Sequence, residues 1–552
     1  MITIKNQKLI SALLIICLSL TLFSCAKKYE DEEDVSVNDV IIENDVSVQT
    51  ENPEKEQNTD TPKEDTKAPE KEEQKPVEDK KEEQEPESEP EPDNSQSESN
   101  TPAQTPSTQT PAEEPEVQKT YRNAKDIIFG DSATLICYSG GLSYTAIFEG
   151  KDEAFYKSYL TELKKDGFGK YTETSFNTSD NAKKNLFATY RKEGYIVDVD
   201  YHSDAKRLYA TYTPEEDNLV LPALNKPGYK SCGLPTIVTQ VGGEKFHKDA
   251  NSMCYIIRAA DGSFIVYDSD FGDGFAELIY NILKKQAPDP NNIVISAWFV
   301  THPHLDHVGA FLDFADKYAG DKTITLKQMV YNYPSDSYIG TTSEELIRKT
   351  PIAAKKLNPD VTFVRPHAGN VLYYADLTFR VLYTQEQYLY ISGGKVQDAN
   401  ASSVVTQMET DSGVKVFFGA DHCVNGSYNG LPFCEGALYN WYGDFIKSDV
   451  VTLFHHGWGG GADNVIYSYI KPQIALWPAN IYRLTRDADG TPYGSSMEFN
   501  ERNLYFSDPE RAKQNGVKGY YISSERIHIV DLSNKNLNVT EYKTSDIYLK
   551  SK

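Results

Sequence analysis

A chain of 552 residues has room for about three domains. Its net charge of −26 is mostly local. Residues 26–120 hold 30 Asp and Glu against 10 Lys and no Arg, and the first 25 residues contribute +2, which leaves about −8 beyond residue 120. The folded part is therefore mildly acidic, without the basic run that advertises nucleic-acid binding. No apolar run after the first 25 residues is long enough for a membrane-spanning helix, which excludes a transport channel.

The N-terminus reads as a secretion signal. Lys5 and Lys8 supply a positive start, and the apolar stretch Leu9 to Phe23 is too short for a comfortable span. It ends in Leu22-Phe23-Ser24-Cys25, which resembles a bacterial lipoprotein lipobox with Cys25 as the lipidated residue. That resemblance implies a membrane-anchored, extracytoplasmic protein held by several acyl chains. Residues 26–118 are Glu, Pro, Thr, Gln and Lys almost without aromatics, so they cannot bury enough surface to offset chain entropy. They are expected to be a disordered acidic tether. Seven cysteines occur. Once Cys17 and Cys25 are set aside the number is odd, and no pair has CxxC spacing; free thiols are expected, with Cys423 and Cys434 the one conceivable bridge.

Residues 119–220 predict a small α+β accessory module. Strands are expected near 134–137, 144–148, 186–190, 195–201 and 208–212. A helix is expected over 153–165, with Phe155, Tyr159 and Leu163 on one face and Gly167 beyond its end. This module shows no chemical constellation, and its single histidine, His202, is expected at the surface.

From 221 to 552 strands and helices alternate, the pattern of a layered α/β domain. The apolar run Ile293 to Val300 reads as a buried strand, and Val308 to Ala315 has helical spacing. Between them lies Thr301-His302-Pro303-His304-Leu305-Asp306-His307, three of the ten histidines and a carboxylate in six residues. Imidazoles and a carboxylate crowded at a strand end suit a transition metal such as zinc.

His-x-His-x-Asp-His in that setting resembles the metallo-β-lactamase fold over roughly Pro235 to Val539. The strand closing at Asp268, the run Val414 to Asp421, and Val450 to Gly457 with its His455-His456 pair stand in the family's order. The resemblance implies a four-layer αββα domain and two metal ions, Zn²⁺ by default. His302 and His304 would hold one ion, Asp306 and His307 would begin the second, and Asp421 would bridge them. His455 would complete the second ion's site and His456 would stand by as a proton donor or substrate contact, though the pair leaves either order open. His422, directly after Asp421, is expected to point away. Many members supply a further histidine before the bridging aspartate; the one available is His367, in what looks like a turn. Asn400, in Asp398-Ala399-Asn400-Ala401-Ser402-Ser403, stands instead where the ComEC-type branch places Asn, and it would orient water or substrate. A site poorer in imidazole makes Mn²⁺ credible as well.

The activity expected is surface-anchored, metal-dependent hydrolysis of a phosphodiester by hydroxide generated at the metals. The substrate would be extracellular nucleic acid or a teichoic-acid-type wall polymer, with Asp306, Asn400 and His456 as catalytic residues. Arg483 and Arg486 are available for phosphate, and Trp458 with Gly459 to Gly461 could form a covering loop. The competing readings are hydrolysis of a lactone, thioester or β-lactam, and a non-catalytic surface binding protein with a vestigial metal site.

Overall fold

The Tyr- and Val-rich alternation after residue 134 folds as a six-stranded antiparallel sheet. Its elements are β1 (Leu135–Gly140), β2 (Ser143–Glu149), α1 (Glu153–Lys165), β3 (Gly169–Ser175), β4 (Asn185–Lys192), β5 (Tyr195–His202) and β6 (Arg207–Pro214), in the order β1-β2-β6-β5-β4-β3. The computed structural model describes residues 132–548 apart from 141–142, 217, 244–252, 335–340, 395, 397, 423–426, 429–430, 433–436, 458–463, 480–515 and 525. The signal segment with Cys25, the tether, Cys423, Cys434, Trp458, Arg483 and Arg486 lie outside the described residues. Among the described residues no helix is long and apolar enough to cross a membrane, and Cys137, Cys232 and Cys254 are free thiols.

α1 has the predicted bounds because its ends are marked. The Asp152 carboxylate accepts the Phe155 N–H at 2.9 Å, Lys164 and Lys165 sit at the negative end of the helix dipole, and Gly167 takes φ +90°. Its buried face, Tyr156, Tyr159, Leu160 and Leu163, covers Phe148, Ala188, Tyr190, Val199 and Tyr201 on one side of the sheet. Successive side chains point to opposite faces, so Ile147, Phe187 and Tyr209 emerge on the other side. There they join a second core with Leu382, Tyr383, Tyr388, Trp441 and Tyr442. A large apolar side chain buried this way contributes roughly 1.5–3 kcal/mol, so residues 132–214 are welded to the C-terminal part of the chain, within one compact unit spanning 119–552.

His202 belongs to this seam, and the expected surface position is corrected. The ring is fully buried, its Nδ1 2.9 Å from Asn185 Oδ1 and its plane stacked 4.0 Å from Trp441. Burial, with Arg207 nearby, holds its pKa down to about 3, so it is a neutral core residue.

The rest of the chain continues with β7 (Ile237–Gln240), β8 (Tyr255–Arg258), β9 (Phe264–Tyr267), α2 (Phe275–Gln286), β10 (Ile293–Phe299), α3 (Leu305–Lys317), β11 (Ile324–Leu326), β12 (Gln328–Val330), α4 (Thr341–Leu357), β13 (Thr362–Val364), β14 (Val371–Tyr374), β15 (Leu377–Tyr383) and α5 (Gln385–Ile391). There follow a 3₁₀ turn at Ala399–Ser402, β16 (Val405–Thr410), β17 (Lys415–Phe418), the short pair β18 (Ser427–Tyr428) and β19 (Leu431–Pro432), α6 (Ala437–Tyr442), β20 (Val450–Thr452), α7 (Asn464–Ile470), β21 (Ile474–Trp477), β22 (Gly519–Ile522), β23 (Arg526–Asp531), β24 (Val539–Lys543) and α8 (Thr544–Tyr548).

Two mixed sheets result. The first runs β13-β12-β10-β9-β8-β7-β23-β24, with β11 also on β10; the second runs β14-β15-β16-β17-β20-β21-β22. Their facing sides share a core in which Tyr267 stacks between Phe299 (5.3 Å) and Phe418 (4.3 Å). α2, α3 and α4 bury their apolar faces on the outer side of the first sheet, and residues of α5, α6 and α7 do the same on the second. β9 and β10 are parallel neighbours in one sheet, β17 and β20 in the other. Loops leaving the C-terminal ends of these four strands carry the histidine cluster and its partners.

Candidate metal centre

Asp268 is the pivot of the first half. β9 ends at Tyr267, and Asp268 turns the chain in the left-handed region at φ +56°. Its carboxylate then joins two strand ends: Oδ1 accepts the Thr301 N–H at 2.8 Å, and Oδ2 accepts the Thr301 hydroxyl at 2.9 Å and His307 Nδ1–H at 2.9 Å. With Nδ1 engaged, His307 presents Nε2 to Asp421 Oδ2 at 3.2 Å. His302 is fixed in the same sense. Its Nδ1 lies 3.1 Å from Thr301 Oγ1 and 3.3 Å from Ser403 Oγ, and its Nε2 faces inward, 3.1 Å from His304 Nδ1 and 3.8 Å from Asp421 Oδ2. His304 caps α3, its carbonyl accepting the N–H groups of His307 and Val308 at 3.1 Å each, and Asp306 follows in the first turn, where the helix dipole favours a carboxylate.

The second half comes from the other sheet. After β17, Gly419 lies against the Phe454 ring, where a Cβ would come within 2.7 Å, and Ala420 takes φ +48° to swing Asp421 inward. After β20, His455 (φ 46°), His456 (φ 54°) and Gly457 (φ 78°) are consecutive left-handed residues. A non-glycine residue held there costs about 1–3 kcal/mol, and the surroundings impose it. His455 N–H donates to the Ala420 carbonyl at 2.8 Å, Trp477 Nε1–H donates to the His456 carbonyl at 2.9 Å, and His456 Nδ1–H donates to the Pro478 carbonyl at 2.9 Å. Of the twelve non-glycine residues with positive φ among the described residues, Asp268, Asp270, Ala420, His455 and His456 fall at this one place, which marks it as a functional centre.

Four imidazoles thus converge on one oxygen. Asp421 Oδ2 is 3.2 Å from His307 Nε2, 3.4 Å from His456 Nε2, 3.8 Å from His302 Nε2 and 3.9 Å from His455 Nε2. Asp306 Oδ2 is 3.4 Å from His456 Nε2. Donors held about 2.1 Å from a zinc-sized ion at tetrahedral angles stand about 3.4 Å apart, so these spacings fit a cation. Among the described residues, two groups of three have their ligand atoms within 4.8 Å of one another, His302-His307-Asp421 and Asp306-His307-His456. In His302, His307 and His456 the outer nitrogen is engaged by oxygen while the inner one faces the cluster, the arrangement by which outer partners orient metal-ligating histidines.

Electrostatics point the same way. Burial pushes Asp421 and Asp306 toward neutrality, but the surrounding imidazoles hold both well below the usual carboxylate range. Burial, with His307 and His304, keeps His302 neutral, and burial with the His456 charge lowers His455. Against the effect of burial, Asp421 and Asp306 raise His456 to about 10, and Asp421 and Asp268 raise His307. The two imidazoles drawn to a positive charge are those shared with the carboxylates, where cationic charge is called for.

Of the predicted ligands, His302, Asp306, His307 and Asp421 fall into the two groups of three, while His304 stands beside His302 outside both; two further adjustments follow. His456, rather than His455, stands in the group with Asp306 and His307. His455 turns to Asn400, whose Nδ2 lies 3.4 Å from its Nε2, and the Asn400 Oδ1 is buried without a hydrogen-bond partner among the described residues. His367 lies apart from the cluster, with Nε2 3.7 Å from Asp198 and Nδ1 3.5 Å from Glu386. That also corrects the view of 119–220 as free of chemical groups, because Asp198 and Asp200 of β5 form part of this buried set. His422 packs on Tyr383 at 4.1 Å, and burial lowers its pKa to about 3. Sequence reasoning missed the orienting roles of Thr301, Ser403, Trp477 and Pro478; only Thr301, directly before the cluster, and Ser403, three residues after Asn400, carried a local signal. A cavity of about 700 Å³ runs beside Phe271, Leu305, Leu312 and Ile352 and includes none of the candidate ligands.

Comparison with known protein families covers the first half of this site. Residues 248–372 match the model of the Metallo-beta-lactamase superfamily, a segment that takes in His302 to His307 and ends before Asn400, Asp421 and the histidine pair. The match supports a metallo-β-lactamase fold, and the chain is a mixed α/β protein with a candidate metal site. No curated protein matches. Among solved structures, the chain is similar to a metallo-beta-lactamase with a HARLDQ motif from Cronobacter sakazakii, at 11% identity over 54% of this chain and 99% of that one, with a TM-score of 0.23. It is also similar to CmlA, a diiron beta-hydroxylase from Streptomyces venezuelae, at 9% identity over 72% of this chain and 79% of that one, with a TM-score of 0.29.

Proposed function

We propose that the protein is a metal-dependent phosphodiesterase of the ComEC-type branch of the metallo-β-lactamase fold, with the αββα layering of that family. In this reading it is anchored through Cys25 to the outer face of the cell membrane and acts on an extracellular nucleic acid or a teichoic-acid-type wall polymer. The observation that carries the reading is the convergence of four imidazole nitrogens within 3.9 Å of Asp421 Oδ2, with Asp306 beside them.

His302, His304, Asp306, His307, Asp421 and His456 would hold two cations, Zn²⁺ or Mn²⁺. When bound, these supply Lewis acidity toward a phosphoryl oxygen and make water nucleophilic near neutral pH. The chain's own groups do the rest. Asp268, Thr301, Ser403 and the Pro478 carbonyl keep the imidazoles turned inward. The Asn400 amide offers an acceptor and a donor to orient substrate. His455, with its side chain 13% exposed and its ring beside Asn400, stands where a proton can pass to a leaving group. Asn400 in place of a further imidazole favours a phosphodiester over a lactone, thioester or β-lactam.

The test is a hydrolysis screen of the full-length protein in detergent, supplied with Zn²⁺ or Mn²⁺, on bis-p-nitrophenyl phosphate, DNA, phosphorylcholine esters and nitrocefin. Phosphodiester turnover that disappears in His307→Ala is expected. Turnover of nitrocefin alone, or turnover indifferent to that substitution, contradicts the reading. Labelling with a fatty-acid analogue, lost in Cys25→Ser, tests the anchor.

A further inference from the structure

Asn400 reaches the metal centre by a short path. α5 ends at Ile391, Gly393 and Gly394 turn the chain with φ of 69° and 93°, and the 3₁₀ turn at 399–402 packs back on α5. That turn is closed by Asn400 N–H to Asp398 Oδ1 at 2.9 Å, the Ala401 and Ser403 N–H groups at 3.1 Å each and the Ser402 hydroxyl to the Ala399 carbonyl at 2.6 Å, and Val404 N–H ties its end to the Thr301 carbonyl at 3.0 Å. Its other supports are α5 and the core around it.

Those elements are held by the N-terminal sheet. Gln387 Nε2 of α5 donates to Asp200 Oδ2 of β5 at 2.8 Å, and both residues are buried. The Tyr209 hydroxyl of β6 donates to the Gln387 carbonyl at 3.5 Å, and Gln385 Nε2 donates to the Ser139 carbonyl of β1. The Arg207 guanidinium lies 3.5 Å over the Tyr390 ring. Gly394 sits directly on β1, where an added Cβ would come within 3.0 Å of Cys137 Cβ. Leu389, Val396 and Ala401 share one core with Ile147 and Tyr209. The path from sheet to Asn400 is thus a continuous run of packed and hydrogen-bonded groups, the kind of network that transmits position.

We propose that the six-stranded sheet is a built-in scaffold of the metal centre that positions Asn400 through α5, with Asp200 and Gln387 as positioning residues. The inference rests on Asn400 being a site residue and not on the substrate class. Hydrogen exchange read by mass spectrometry on the full chain tests it without metal or substrate, so failure to find phosphodiester turnover bears on the proposed activity alone. Gln387→Leu and Asp200→Leu should each speed exchange in 398–404 by about tenfold or more, as expected when a buried hydrogen bond that restrains local opening is lost, while 415–421 keeps its wild-type rates. Asp200→Asn, which retains an acceptor, should leave 398–404 unchanged. Unchanged exchange at 398–404 in both leucine variants overturns the proposal, as does equal acceleration at 398–404 and 415–421, which would assign the sheet to general stability. Acceleration in Asp200→Asn equal to that in Asp200→Leu would likewise overturn the positioning role of this hydrogen bond.

Discussion

His367→Gln removes the one cation from a buried set of carboxylates, and the structure gives both the size and the pH dependence of the result. The imidazole is buried between Asp198 and Asp200 of β5 and Glu386 of α5. Against burial, which would lower it, Asp198 and Glu386 raise its pKa from 6.5 to about 9, and Glu386 moves down as the partner of a cation should. At about 1.4 kcal/mol per pH unit, that rise corresponds to roughly 3 kcal/mol of stability. This agrees in size with the roughly 3–5 kcal/mol typical of breaking one side of a buried pair. A group whose folded pKa is raised stabilises fully below its unfolded pKa, and the contribution disappears as pH climbs through the folded value. Urea unfolding of wild type and His367→Gln should therefore differ by about 3 kcal/mol at pH 6, less at pH 8, and little above pH 9. A gap that is constant from pH 6 to pH 10 would refute the reasoning and make His367 a packing residue.

Three further outcomes concern the metal centre. Asp268→Asn weakens the hydrogen bond that turns His307 inward, so metal affinity measured by chelator competition should fall about 10–100-fold with the fold intact. His456→Ala should lose bound metal, whereas His455→Ala should keep it and lose turnover; retention of metal by His456→Ala would return His455 to the second ion's site. Gly457→Ala places a Cβ 2.4 Å from Trp477 Nε1 in a left-handed conformation, so it should lower the melting temperature and displace His456, visible as reduced metal content.

The parts legible in the sequence are those with local causes. α1 is marked by Asp152 and Gly167 at its ends, β10 by an unbroken apolar run, and the metal cluster by the crowding of three imidazoles and a carboxylate into Thr301 to His307. β3 escaped because Gly-Lys-Tyr-Thr-Glu-Thr-Ser is polar and half exposed; it is a strand because β4 offers a ladder. The burial of His202 and the ion set around His367 depend on β5 lying against α5 and α6, a contact between residues far apart in the chain that no local pattern encodes. The order of His455 and His456 was equally hidden, since it turns on two consecutive left-handed residues fixed by Ala420, Trp477 and Pro478.

The central claim is that the donors gathered around Asp421 hold metal. Elemental analysis of the purified full-length protein after dialysis against metal-free buffer tests it most directly. Close to two equivalents of Zn²⁺ or Mn²⁺ per chain are expected in the wild type, with at least one lost in His307→Ala. A wild-type protein that retains no metal after loading, or a His307→Ala protein that retains the wild-type amount, would contradict it.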